Sequence, residues 1–560
     1  MIRFFLGLSL SLFCFWRAHA AQNSISEIYL GSREGDPAGI VENVDVIHGN
    51  YTEIEIDLTV TAPDSLILSR FYSSRDPLQI GSFGGWRFNP HCFLTVQKDP
   101  KESRDGNLEQ TYVYIGNPDG SILTYMGWRN TTTPMEPVLF KVGETSGLAN
   151  TAKGEISGWT NVKNNVLYFN PQNSSFELVL SSQGRRFYIK HPSIDAYCIT
   201  HEILPSGNKV FYEFDPNGRL EFIKETNASE KKVLAWIKIQ YGNEIRVETS
   251  DGKTAIYEFQ EDTSGAQLLT DVTRSNKPNL HYEYQVLDKQ ALLVKKTLPE
   301  GRFVQVNYYT DGANRHRVKT VIAPANLSGT ATTQFTYGDH CAEVEGPENR
   351  KAIYRFDEAH RLSAIEQYLK GALYRVHRKS WNGGNLTSTS VEDSGGNIFY
   401  YQTFIYDSKD QGDVVEIREY GDLTGNGSVP LQIDPTQLSA NQDAHIKKFS
   451  YFSGKNTHGF FQRDLTGAGV KYWYKKGTNL LIKKFILTQG SPDSEEEDDQ
   501  SGITQRYFYR YNEDTSLIQV VVDDGNEEDL EDSYWVKERR ITDISPKQEL
   551  PNVGAPEIVE

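Results

Sequence analysis

Two aromatic clusters hold the side chains best suited to recognition: Trp381, followed by Asn382-Gly383-Gly384-Asn385, and the triplet Tyr472-Trp473-Tyr474. Flat aromatic faces on a polar scaffold stack on sugar rings, so these four residues are the candidate ligand-stacking positions. The competing use is structural, as rungs of a sheet where half-buried aromatics pack across strands. Carboxylates are the second resource. Asp493, Glu495, Glu496, Glu497, Asp498 and Asp499 form one run, and Asp523, Asp524, Glu527, Glu528, Asp529, Glu531 and Asp532 form another. Neither has the ligand spacing of a dedicated calcium loop, so both read as solvated loops, and no metal or cofactor is expected. The loop Asp422-Leu423-Thr424-Gly425-Asn426-Gly427 recurs as Asp464-Leu465-Thr466-Gly467-Ala468-Gly469. The second copy replaces Asn426 with Ala468, and no lysine stands where a phosphate cradle needs one, so both copies read as turns of equivalent hairpins.

Catalytic constellations are missing. The chain has no His-Glu-x-x-His, no Gly-x-Ser-x-Gly and no paired Cys-x-x-Cys, so zinc-hydrolase, serine-hydrolase and zinc-knuckle readings lack their minimum parts. Its 75 acidic residues supply carboxylate pairs by abundance alone, which leaves glycan cleavage as a third-ranked reading. We therefore expect no enzyme.

Residues 1–20 have the three parts of a secretory signal: Arg3, an apolar run to Trp16, and Ala18-His19-Ala20 as a small-x-small cleavage site. A secreted or cell-surface protein without a stable membrane anchor is expected, because no later stretch reaches about 18 apolar residues. The net charge of −17 reaches −19 when Arg3 and Arg17 leave, which argues against nucleic acid as a partner. Cys92, Cys198 and Cys341 remain after cleavage; at most one bridge can form, and buried reduced thiols are expected, with any pairing left open.

The elements that position these groups are strands. Residues 51–58 alternate, with Tyr51, Glu53, Glu55 and Asp57 on one face and Thr52, Ile54, Ile56 and Leu58 on the other, which predicts a sheet with one wet face. Residues 212–220, Tyr-Glu-Phe-Asp-Pro-Asn-Gly-Arg-Leu, place an aromatic strand end, a Pro-Asn-Gly turn and a new strand within nine residues. Degenerate copies follow at Tyr354 to Leu362, Tyr406 to Val415 and Tyr511 to Ile518. The best helical stretch is 230–237, and Trp236-Ile237-Lys238-Ile239 already alternates. An all-β chain follows, stabilised by its 31 Tyr, 27 Phe and 8 Trp.

Gly49-Asn50-Tyr51, Asp57-Leu58, Pro63, 66–68, Arg70-Phe71-Tyr72-Ser73-Ser74 and Gly85-Trp86-Arg87-Phe88-Asn89-Pro90 resemble the N-terminal segment of the Rhs (YD-repeat) family. His48 stands where that family more often has threonine, and Asp64 where it often has glycine. The resemblance implies strands spiralling into a hollow β shell around a C-terminal toxin, with a double Asp-Pro-x-Gly motif accompanying self-cleavage. Asp215-Pro216-Asn217-Gly218 is single and early, so no proteolytic role is carried to it. The expectation is an all-β fold of antiparallel hairpin repeats forming a curved or spiral Rhs-like shell, incomplete and with an open edge near residues 500–545. The expected divisions are a signal peptide at 1–20, an N-terminal β domain at 21–204, hairpin repeats at 205–545 and a flexible tail at 546–560. The expected partner is a polypeptide carrying the rest of the shell or a toxin; the alternative is a surface-glycan adhesin.

Overall fold

The structure, a computed structural model, describes residues 39–559 except 75–82, 90–92, 105–107, 117–121, 131–137, 143–165, 408–413, 422–434, 436–443, 489–501, 526–529, 531–535, 547–555 and shorter loop stretches. The leader at 1–20, Cys92, the loop 422–427, the acidic run 493–499 and most of the later run lie outside the described residues.

Alternation decides the local structure. Ile245–Thr249 buries Ile245, Val247 and Thr249 and exposes Arg246 and Glu248, as a strand with one covered face requires. The stretch 230–237 is not helical; Val233–Tyr241 is a strand, because its isoleucines recur at period two. Among the described residues there is no α-helix, only two single 3-10 turns at Pro299–Gly301 and Pro347–Asn349. The expected all-β class is the observed one.

Two bodies of sheet are present. The first is small: β1 (Ile40–Val41), β2 (Val44–Asp45), β3 (Asn50–Val60), β4 (Leu66–Ser73) and β5 (Trp86–Asn89), paired in chain order. The second begins at Phe93–Arg104 and runs to Arg539–Pro546, each strand antiparallel to the next in sequence. Its opening eight strands close on themselves, because Phe93 and Leu94 of the first pair with Cys198 and Tyr197 of the eighth. From Ile203 onward the sheet is open. Across residue 204, Tyr197–Ile203 and Lys209–Phe214 are hydrogen-bonded neighbours, and the last strand of the small sheet ends at Asn89.

A five-residue turn recurs along the sheet. Asp215 Oδ1 accepts from the backbone N–H groups of Asn217 and Arg219, and Oδ2 from Arg219 Nε at 2.7 Å. Asp357 repeats the device on Arg361, Asp393 on Gly395 and Asn397, and Asn512 on Asp514 and Ser516. Asp464 does the same for Thr466 and Ala468, so this copy of the Asp-x-Thr-Gly loop is a hairpin turn. A carboxylate or amide at the first position satisfies the turn's N–H groups whatever follows, which is why the copies tolerate irregular spacing.

The open sheet curls until late turns touch early ones. Asn479 N–H donates to Pro205 O at 2.7 Å. Asn208 Nδ2 donates to Asp514 O and to Thr515 Oγ1, partners 306 and 307 residues away. Lys232 pairs with Asp514 across 282 residues. At the far end, Arg539–Pro546 pairs with Leu517–Asp523 on one side, while on the other only Ile544, Ser545 and Pro546 meet Pro556–Val559. Among the described residues the open edge is thus 539–543, and Pro556–Val559 form a short strand beside its far end.

Candidate functional site

The densest set of charged and aromatic groups lies where the small sheet sits on the wall, and its centre is Arg70 on β4. Arg70 is fully buried; its Nε donates to Asp57 at 2.8 Å and its Nη2 to Tyr282 Oη at 2.7 Å. The guanidinium lies 4.2 Å over the Trp86 ring and 5.0 Å over that of Tyr282. Burial opposes this charge, yet Asp57, Tyr282 and Tyr257 outweigh it and raise the Arg70 pKa. Asp57 also accepts from Tyr257 Oη at 2.8 Å and meets Arg274 at 3.5 Å. Beside it Lys296 binds Glu53 at 2.6 Å and pairs with Glu55, while Tyr51 Oη donates to Glu53 at 2.6 Å. Burial alone would push the Glu55 carboxyl up; Lys296, Arg70 and Arg274 together hold it below the usual range.

Of the two faces of β3, the one rich in charge is the covered one. Tyr51, Glu53 and Asp57 are buried against the wall, while Ile54 and Ile56 are 51 % and 43 % exposed. The reason is complementarity: Arg70, Arg274 and Lys296 supply the opposite charges, so the polar face is the one the wall can satisfy. A register shift between Ile56 and Leu58 then returns Leu58 and Val60 to the buried side. Close approach completes the seat. A Cβ on Gly84, which has φ +57°, would stand 2.2 Å from the Leu269 backbone nitrogen. Trp86 Nε1 donates to Tyr284 Oη at 2.7 Å, and the Leu293 N–H donates to Tyr72 Oη at 2.8 Å. Arg70 and Trp86 were visible in the sequence only as part of a family-like string; their wall partners, more than 190 residues away, were not.

The four candidate stacking residues are split by the pleat. Trp473 is 2 % exposed, with Phe452 and Phe485 rings at 5.7 and 4.7 Å. Its neighbours Tyr472 and Tyr474 point to the other face, half-buried, in a ladder with Phe460, His458 and the exposed Tyr451. Trp381 stands apart, half-buried, and its Nε1 donates to Leu362 O at 2.8 Å. Cys198 and Cys341 are free thiols, and burial pushes Cys198 up to about 12. Among the described residues, no group of three or more His, Cys, Asp and Glu converges as a metal site. Among the described residues, a shallow depression of about 610 Å³ lies around Tyr241, Glu244, Arg246 and Phe259, and another of about 480 Å³ around Glu283, Lys295 and Phe303.

Residues 41–125 match the family model of a domain of unknown function, DUF6531. No curated protein matches. Among solved structures the chain is similar to the TcdB2–TccC3 complex, at 10 % identity and TM-score 0.31, over 81 % of this chain and 28 % of that one. It is also similar to the Tc holotoxin pore of Photorhabdus luminescens, at 10 % identity and TM-score 0.28, over 89 % of this chain and 25 % of that one. A porin-like protein from Bacteroides uniformis follows at 10 % identity and TM-score 0.15, over 55 % and 92 % of the two chains. The chain spans between a quarter and a third of the length of the Tc chains.

Proposed function

We propose that this chain is a wall segment of a secreted Rhs-like shell, built to be extended by further strands and to enclose a toxin polypeptide. The observation that carries the reading is the curled, continuous sheet: its turns at 479 and 514–515 return onto 205–208, while its last long strand keeps an unpaired stretch at 539–543 among the described residues. An open strand edge is a template for another chain unless it is covered. The sequence resemblance in residues 49–90 supplies the shell and toxin association, and the leader-like 1–20 supplies export. Expression together with the reading frame that follows it tests this. One complex should form, in which the second polypeptide resists a protease that digests it when free; equal digestion rates contradict the proposal.

A second reading, a surface glycan ligand, is favoured by the half-buried ladder of Tyr451, Phe460, Tyr472 and Tyr474. Glycan-array binding that is lost when Tyr472→Ala and Tyr474→Ala are combined is the expected result; an array that shows no bound glycan removes this reading, and binding that survives both changes removes the ladder as its site.

A further inference from the structure

The last long strand keeps one side open among the described residues. Arg539–Pro546 pairs with Leu517–Asp523, and on its other side Ile544, Ser545 and Pro546 are met by Pro556–Val559. An apolar row crosses the sheet toward this edge and stops there. Phe508 pairs with Val521 and Val521 with Ile541, and exposure goes from 7 % and 3 % to 52 %. One more strand, with an apolar residue across from Ile541, would bury it as Val521 is buried.

The neighbours fix the register that such a strand must take. Val559 already stands across from Ile544, so the first open place is across from Asp543. The last is across from Arg539, where the strand begins. Before it the chain bends at Lys537, whose N–H, with that of Glu538, donates to Asp524. The seat is therefore Arg539-Arg540-Ile541-Thr542-Asp543, and laid antiparallel it is its own complement. Arg539 meets Asp543, Arg540 meets Thr542, and Ile541 meets Ile541 on a two-fold axis. The two ion pairs fall on the same face as the isoleucines. Arg539 already pairs with Asp523 at 2.9 Å and keeps 26 % of its side chain exposed, enough to meet a second carboxylate.

We propose that residues 539–543 pair antiparallel with the same residues of a second copy of this chain, closing the open edge in a two-fold dimer. An uncovered edge templates open-ended association, whereas a self-complementary contact is used up by one partner and stops at two. The inference rests on the open edge of the shell reading and goes beyond it: the free chain shields by itself the edge that further strands later take.

The test uses the full-length protein purified without the following polypeptide. Analytical ultracentrifugation over a concentration series should show a reversible monomer–dimer equilibrium and no larger species. Asp543→Arg replaces both ion pairs with like charges and should raise the dimer dissociation constant about tenfold. Under mild oxidation Ile541→Cys should give a disulfide-linked dimer that the wild type does not, because its two thiols face each other across the axis. Thr542→Cys, whose copies stand diagonal, should link at least tenfold more slowly. Both positions 541 and 543 are exposed, so neither change disturbs the fold. A monomer at every concentration overturns the pairing, as does a ladder of larger species, a dimer that Asp543→Arg leaves equally tight, or equal linking by Ile541→Cys and Thr542→Cys. A lone monomer leaves the shell reading standing, since that is judged by protease protection of the second polypeptide. A dimer that passes while that polypeptide is digested at its free rate overturns the shell and keeps the pairing.

Discussion

The early and late parts of the wall bury their inner faces by different means. From Tyr197 to Leu369 the covered face is aliphatic and tyrosine-rich, and it joins the small sheet in one continuous core from Val44 to Ile365. From Ala372 onward the core is small, built on Phe461, Trp473, Phe485, Leu487, Ile503, Phe508 and Val521. There four of the seven share their face with a buried charge two positions away: Phe461 with Arg463, Trp473 with Lys471, Phe508 with Arg506 and Val521 with Asp523. Arg463 and Lys471 lie 5.4 and 5.2 Å over Phe461, and Arg506 lies 5.4 Å over Phe508. Where another sheet covers the wall, hydrocarbon surrounds charges that are paired between the two sheets; where the described residues offer no such cover, long charged side chains fold their stems over the rings.

The largest expected effect tests whether the seat of the small sheet depends on its buried charge. Arg70→Ala strips Asp57 of its closest cation and should lower stability by about 3–5 kcal/mol, read as a shift in denaturant midpoint. Arg506→Ala removes an equally buried arginine, but Arg539 remains 2.9 Å from Asp523, so the loss should be clearly smaller. Equal losses would erase the distinction. Next comes Trp473→Ala, expected to cost about 3 kcal/mol and to raise hydrogen exchange only within 452–523, leaving the first core protected. Gly84→Ala should weaken the seat by more than the roughly 1 kcal/mol expected for Gly477→Ala, which has φ +73° and open space around it. The smallest effect is on pH. Glu55 is depressed, so its stabilisation is present above the unfolded value of about 4.3 and is lost as pH falls through its folded value. Lys296, raised by Glu53 and Glu55 against burial, stabilises below about 10.4 and stops doing so as pH climbs past its folded value. Asp523, depressed because its arginines outweigh burial, contributes only an acid limb. Hydrogen exchange should therefore rise in both regions at acid pH, but at strongly alkaline pH only around the small sheet.

Strand and turn chemistry were legible because they are local. Asp215 to Gly218 and the echo at Asp357 announce the hairpins they form, since one carboxylate organises each turn by itself. Parity was legible too, but its sense was not. Period two says that Trp473 opposes Tyr472 and Tyr474, and that Glu53 opposes Ile54, without saying which side is inside. That choice depends on Lys296 and Arg274, which arrive from a distant part of the chain. The same distance hid Asn208: nothing near it in the sequence announces a turn returning from 514–515.

The central claim, a wall that curls back on itself, is tested most directly by zero-length carbodiimide cross-linking of the monomer. Lys232 and Asp514 should be recovered as a joined pair of peptides, alongside the local pair Lys351 and Glu343. Recovery of the local pair without the distant one would show that the late turns do not meet the early ones, and the spiral would be lost with them.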